Sequence, residues 1–165
     1  MTNMETLTNN VAFTAMLNPP GALPILTRAQ VWAMLQLKIR SAETFVPKAI
    51  KSTTVLSKTT DAASGNEVTV REVTFCENHK VVKEVVTAYE DIRVEFEQPD
   101  GSHVSNVVSE GAEGELYLTY VFEWRHPGIQ VEELRALKEK EGKLGRMAVE
   151  GTIEAMRSLV MAGKY

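Results

Sequence analysis

The sequence predicts an α+β fold in which one curved antiparallel sheet wraps around a single long helix. Three observations predict it. A first strand is set apart from the others by a capped helical stretch. An unbroken run of strand-like segments joined by turn residues follows, and the chain closes on one long helical segment whose inner stripe is unusually small. A sheet curved around one helix encloses a volume, so the order of elements already points to a protein that holds a small, mostly apolar molecule.

Residues 11–17, Val-Ala-Phe-Thr-Ala-Met-Leu, read as the first strand, and Asn18-Pro19-Pro20-Gly21 ends it with residues that cannot extend a ladder. After a loop to Leu26, Thr27 and Gln30 are the two halves of a capping box, and Leu26 and Val31 occupy the positions of a hydrophobic staple. A helix therefore begins at Thr27, with Trp32, Leu35 and Ile39 sharing one face, and residues 41–45 read as a second short helix before Pro47. Strands follow over residues 51–57, 67–76, 81–88, 92–97, 102–109 and 116–125. Their junctions carry turn chemistry, at Ser64-Gly65-Asn66, Asn78-His79, Pro99-Asp100-Gly101 and Gly111-Ala112-Glu113-Gly114, so consecutive hairpins make a meander.

Hairpin register tells which side chains share a face. A turn at Asn78-His79 sets Phe75 opposite Val82, Val73 opposite Glu84 and Arg71 opposite Val86, which puts Arg71 and Glu84 on the apolar face. A turn at Pro99-Asp100-Gly101 sets Phe96 opposite Val104, Val94 opposite Asn106 and Ile92 opposite Val108, which adds Asn106 to that face. On the last strand Leu116, Leu118, Tyr120, Phe122 and Trp124 form the inward parity. After Pro127-Gly128 the final helix, from about Val131, carries Leu134, Leu137, Leu144, Ala148, Gly151, Ala155 and Leu159 at spacings of three, four and seven. Its middle, Gly145, Ala148, Gly151, Thr152 and Ala155, is small. Close packing normally pads a helix over a sheet with large side chains, so either the helix approaches tightly over the sheet's own aromatics or a ligand fills the space.

The bulk numbers bound the rest. A chain of 165 residues buries a core without crosslinks, and one domain over residues 1–165 is expected. A formal net charge of -4 gives no electrostatic reason to expect nucleic acid or an anionic membrane. The single cysteine, Cys76, excludes an internal disulfide and reads as a small apolar residue near a turn. The start of the chain has no basic segment leading into an apolar one, and no segment has the length of a membrane span. A soluble cytoplasmic protein, monomeric or homodimeric, is the expectation. His79, His103 and His126 fall in or near turns, so no metal site is expected, and there is neither a phosphate-binding glycine loop nor a Gly-x-Ser-x-Gly elbow.

What remains is a small polar set on an apolar face. Arg71 and Glu84 cannot be buried singly, so they pair with each other, meet polar ligand groups, or reach water in a cavity mouth. One reading is a purely structural ion pair. The other is catalytic: Arg71 anchors an anionic or carbonyl group, Glu84 moves a proton, and Asn106 steadies a developing enolate. Trp32, Tyr120 and Trp124, with Phe75, Phe96 and Phe122, are candidate walls for a flat ligand, though core packing explains aromatic residues equally well. Tyr120 also needs a partner for its hydroxyl. On the helix Ala148, Gly151, Thr152 and Ala155 are the candidate lining. The 19–24 loop and the 61–66 turn are the expected mobile segments.

Leu26-Thr27-Arg28-Ala29-Gln30-Val31-Trp32, Lys38-Ile39-Arg40, Phe45-Val46-Pro47 and Arg71-Glu72-Val73, with Asp100-Gly101, Asn106 and Leu116 through Trp124, resemble the AtaL-like family. That family was long catalogued as a domain of unknown function within the START and birch-pollen-allergen-like (SRPBCC) superfamily of helix-grip proteins. The resemblance spans nearly the whole chain. It implies a helix-grip fold, a strand, two short helices, six more strands and a long C-terminal helix. It also implies an internal cavity, without a set of catalytic residues to carry over. Fungal biosynthetic clusters that hold members of the family suggest secondary metabolism by analogy.

The expectation is a cofactor-independent tailoring enzyme, a cyclase, isomerase or dehydratase, acting on a polyketide-like or peptide-derived molecule under the final helix. The alternatives are a binding or carrier protein with no chemistry, and an interaction module acting through exposed strand faces such as Tyr117 and Val121.

Overall fold

The computed structural model describes residues 7–165, so the first six residues of the expected 1–165 domain lie outside the described part. The β-branched segments form seven strands: β1 Leu7–Met16, β2 Ile50–Thr60, β3 Glu67–Phe75, β4 Val81–Tyr89, β5 Arg93–Glu97, β6 His103–Glu110 and β7 Leu116–His126. Two α-helices complete the described residues, α1 Arg28–Arg40 and α2 Val131–Met161. The short helix expected at 41–45 is a single 3-10 turn, Ala42–Thr44. The capping box forms as its residues dictate. The Thr27 hydroxyl accepts from the Gln30 N–H at 3.2 Å and the Gln30 side-chain carbonyl accepts from the Thr27 N–H at 3.0 Å. The staple residues Leu26 and Val31 are both buried.

The strands make one curved antiparallel sheet in the order β1-β7-β6-β5-β4-β3-β2, a meander that β1 extends by pairing with the last strand. The β5/β6 register is the expected one, with Phe96 opposite Val104 and Val94 opposite Asn106. At β3/β4 the ladder is offset by two residues from expectation: Val73 faces Val82 and Arg71 faces Glu84 directly. The cause is a wider turn. Phe75 N–H bonds Lys80 C=O, so the loop closes outside Asn78-His79 instead of through a two-residue turn. A shift of two keeps every side chain on its face, so the inward set is unchanged while the two charged residues become cross-strand partners.

The long helix α2 crosses the concave face over β1 and β7, at one side of the sheet. Its buried line is Glu141, Gly145, Val149, Thr152 and Met156. This lies one residue round from the expected stripe of Leu144, Ala148, Gly151 and Ala155, which a period near 3.6 cannot separate from its neighbour in sequence. Gly145 marks the tight approach, since a Cβ there would lie 3.1 Å from Val11 Cγ1 and 3.2 Å from the Phe122 ring. The small residues Ala148, Gly151 and Ala155 on the adjacent line border the same open volume as Arg71 of β3, Glu84 of β4 and Phe96 of β5.

Candidate functional site

Because α2 grips only the β1–β7 side, a cavity of about 820 Å³ opens between it and the rest of the concave face. The inner strand parity supplies Phe96, Tyr120, Phe122 and Trp124, and α2 supplies Leu144, Ala148, Gly151 and Ala155. Trp124 stacks on Phe122 with ring centroids 4.6 Å apart. Phe75 also lines the cavity, near a rim built from the 44–50 segment and residues Glu77 and Asn78. The segments expected to be mobile, 19–24 and 61–66, do not touch it.

The buried polar groups gather on one wall, while the exposed charged side chains of Lys48, Glu77, Lys143, Arg146, Glu150 and Glu154 also line the cavity. Arg71 donates from Nε and a terminal nitrogen to Glu84 Oε1, at 3.0 and 2.7 Å. Its other terminal nitrogen donates to the Lys38 and Ile39 carbonyl oxygens, at 2.9 and 2.8 Å. The guanidinium thus closes the last turn of α1, whose carbonyls have no helical partner, and all but one of its N–H groups are engaged by the protein. The second Glu84 oxygen accepts from Gln98 Nε2 at 3.1 Å. Arg71, Glu84 and Asn106 are all buried.

Lys38 completes this wall. It is buried at the end of α1, and its Nζ donates to Asn106 Oδ1 at 2.9 Å. Nζ lies 4.8 Å from the Tyr120 ring centroid and 5.1 Å from that of Phe96. Burial is the main cause that lowers its pKa to about 7. The Arg71 charge lowers it further, and Glu84 opposes both. Among the described residues Asn106 Nδ2 has no hydrogen-bond partner, and it is fully buried.

The remaining expected wall residues take other places. Trp32 is buried in the core with Val31, Met34 and Leu35 and does not line the cavity. Thr152 stands behind the wall and accepts the Tyr120 hydroxyl at 2.9 Å, which supplies the partner that phenol needs. Burial pushes the Tyr120 phenol up, so it stays protonated across the accessible range.

Two members of the polar wall, Lys38 and Gln98, were not among the site residues expected from sequence, and both had a legible signal. Lys38 stands three residues after Leu35 and seven after Val31, on the buried face of α1, where a lysine is out of pattern. Gln98 continues the inward parity of Val94 and Phe96 beyond the end of β5. No group of His, Cys, Asp and Glu residues suited to a metal ion occurs among the described residues. No helix among them is long and apolar enough to cross a membrane.

Residues 11–163 match the family model described as AtaL, acetylaranotin biosynthesis cluster protein L. No curated protein matches the chain. Among solved structures the fold is similar to that of the Zhui aromatase/cyclase from a Streptomyces species, with a TM-score of 0.62 at 14% identity over 95% of this chain and 98% of that one. It is also similar to the di-domain aromatase/cyclase StfQ of the steffimycin biosynthetic pathway, with a TM-score of 0.60 at 8% identity. That match covers 95% of this chain and 53% of the two-domain one. The Bacillus cereus protein XoxI gives 0.55 at 13% identity, over 96% of this chain and 98% of that one. At such identities the likeness is one of fold.

Proposed function

The chain belongs to the AtaL family, and from that premise we propose that it is a cofactor-independent tailoring enzyme of secondary metabolism, a cyclase, isomerase or dehydratase acting on a small aromatic or polyketide-like molecule. The observation that carries this reading is the placement of the buried or half-buried Lys38, Arg71, Glu84, Gln98 and Asn106 together on the inner face of a cavity that is otherwise lined by aromatic and aliphatic side chains and by exposed charged residues of α2 such as Lys143, Arg146, Glu150 and Glu154. Buried polar groups are costly, and a fold that needed only a filled core would replace them with apolar side chains of similar volume. Here they line the cavity, which supports a role in meeting a polar group of a bound molecule. The fold shared with two aromatase/cyclases supports the substrate class.

In this reading Glu84 exchanges a proton with the carbon next to a ligand carbonyl, while Arg71 fixes the carboxylate and Asn106 donates from Nδ2 to the developing oxyanion. Cyclisation, double-bond migration and loss of water from a β-hydroxy carbonyl compound all pass through such an enolate. The walls exclude water and hold the ligand flat.

A second reading has its own observation. Arg71 and Glu84 satisfy each other, with Gln98 on the remaining oxygen, which is also what a purely structural pair in a carrier would show.

Native mass spectrometry of protein taken from its own host, followed by release and identification of any bound molecule, supplies the ligand. With that molecule, Glu84→Gln is expected to keep binding and lose turnover by about 100-fold or more, the scale of a general acid–base contribution. Full turnover in the variant removes Glu84 from the mechanism. Recovery of the ligand unchanged from the wild-type protein establishes the carrier. An empty protein that also refuses flat aromatic probes overturns the cavity reading itself.

A further inference from the structure

We infer that Lys38 is a nucleophile that forms an iminium with an aldehyde or ketone group of the molecule held in the cavity. The inference rests on the proposed function, since it needs a ligand there, and it narrows the ligand class to carbonyl compounds whose carbonyl carbon reaches the wall between α1 and β6.

Four features of the site combine. Lys38 lines the cavity although its side chain is buried, so its Nζ meets the interior volume and not bulk water. Among the described residues no carboxylate lies within ion-pair distance of Nζ, and its hydrogen-bond partner is the neutral amide oxygen of Asn106. Charged and titratable neighbours are Arg71 from β3, Glu84 from β4 and the phenol of Tyr120 from β7. Glu84 is itself held by Arg71 and Gln98. A lysine desolvated beside a second cation is the arrangement that frees an amine lone pair at neutral pH. Consistent with this, burial and the Arg71 charge bring its pKa to about 7.

The same neighbours suit the product. An iminium nitrogen keeps one N–H, and Asn106 Oδ1 already stands 2.9 Å from that nitrogen as an acceptor. Its positive charge would lie over the Phe96 and Tyr120 rings, whose centroids are 5.1 and 4.8 Å from Nζ. Asn106 Nδ2 shares one amide group with that acceptor and is unpartnered among the described residues, so it is the donor at hand for the carbonyl oxygen of a ligand attacked by Nζ.

The step balances without a further reagent. Nζ attacks the carbonyl carbon, a C–N bond forms and the C–O bond breaks. The oxygen leaves as water with two of the three hydrogens of the ammonium form, and the third stays on the iminium nitrogen. No electrons are gained or lost. An iminium acidifies the neighbouring C–H more strongly than the parent carbonyl does, which gives Glu84 an easier proton to remove.

The test uses the wild-type protein with 2-naphthaldehyde and sodium cyanoborohydride, which reduces an iminium to a stable secondary amine. Intact mass and peptide mapping read the result, and quenching of tryptophan fluorescence reports occupancy. The expected outcome is one naphthylmethyl group on Lys38, formed at least about tenfold faster than on any surface lysine and absent from Lys38→Arg. Occupancy without an adduct, or an adduct spread over surface lysines, overturns the iminium and leaves the cavity reading standing. Absence of occupancy overturns both.

Discussion

A buried lysine is a stability statement as well as a chemical one. The Lys38 pKa falls from 10.5 in the unfolded chain to about 7 in the folded protein. Below about pH 7 both states hold the proton, and the fold carries the full cost of a buried cation. Between about 7 and 10.5 only the unfolded chain still holds it, so stability rises with pH across that window and levels off above it. The stability gap between wild type and Lys38→Met should therefore shift toward the wild type from pH 7 to pH 10 by on the order of a few kcal/mol, read from urea denaturation at each pH. A gap that does not move with pH would show that the amine is solvated. Arg71 stands beside it in a different role. Its guanidinium is committed to Glu84 and to the last carbonyls of α1, so it acts on Lys38 through its charge and on α1 through hydrogen bonds.

At the scale of elements, the small residues of α2 fall on two lines with separate purposes. Gly145 lets the helix backbone approach Val11 and Phe122, whereas a Cβ on Gly151 would meet only the Phe45 carbonyl, at an ordinary 3.7 Å. Gly145→Leu should therefore destabilise the protein by about 1–3 kcal/mol through overpacking. Gly151→Leu should leave stability unchanged or raise it slightly through helix propensity. It should also abolish binding of flat aromatic probes by filling the cavity. Thermal denaturation and fluorescence titration separate the two; equal destabilisation would mean that both lines are packed. The small stripe was legible in the sequence, but its division was not. Spacings of three and four fit Leu144, Ala148 and Gly151 as well as Gly145, Val149 and Thr152, and only the side of the sheet that α2 covers distinguishes them. The same limit applied to the β3/β4 hairpin. Strand parity placed Arg71 and Glu84 on one face, while their direct pairing depended on a loop width that the Asn-His pair does not specify. A lysine near a helix C-terminus also has an ordinary explanation in the helix dipole, which makes Lys38 inconspicuous in the sequence. Its place on the apolar face of α1 was the stronger signal.

The whole molecule separates support from site. β1, β7 and α2 form a packed body on one side, held by the buried contacts of Gly145, Val149 and Met156 and by the Asn9 side chain donating to Leu134 C=O at 3.0 Å. The polar wall of the cavity rests instead on α1, β3, β4 and β6. The pairing of β1 with β7 joins the first strand of the chain to the last, residues 7–16 to 117–126, and α2 then lies across both. Strands β2 to β7 pair with sequence neighbours, so their closures are local and fast, whereas the β1 closure spans most of the chain. Pulse-labelled hydrogen exchange during refolding should protect β3, β4 and β5 amides first and those of β1 last; simultaneous protection would contradict this order. On a ribosome the consequence is sharper. Residues 7–16 are made before the other six strands yet have no strand to join until β7 has emerged, so while β2 to β6 are being made the nascent chain carries an unpaired, half-apolar strand.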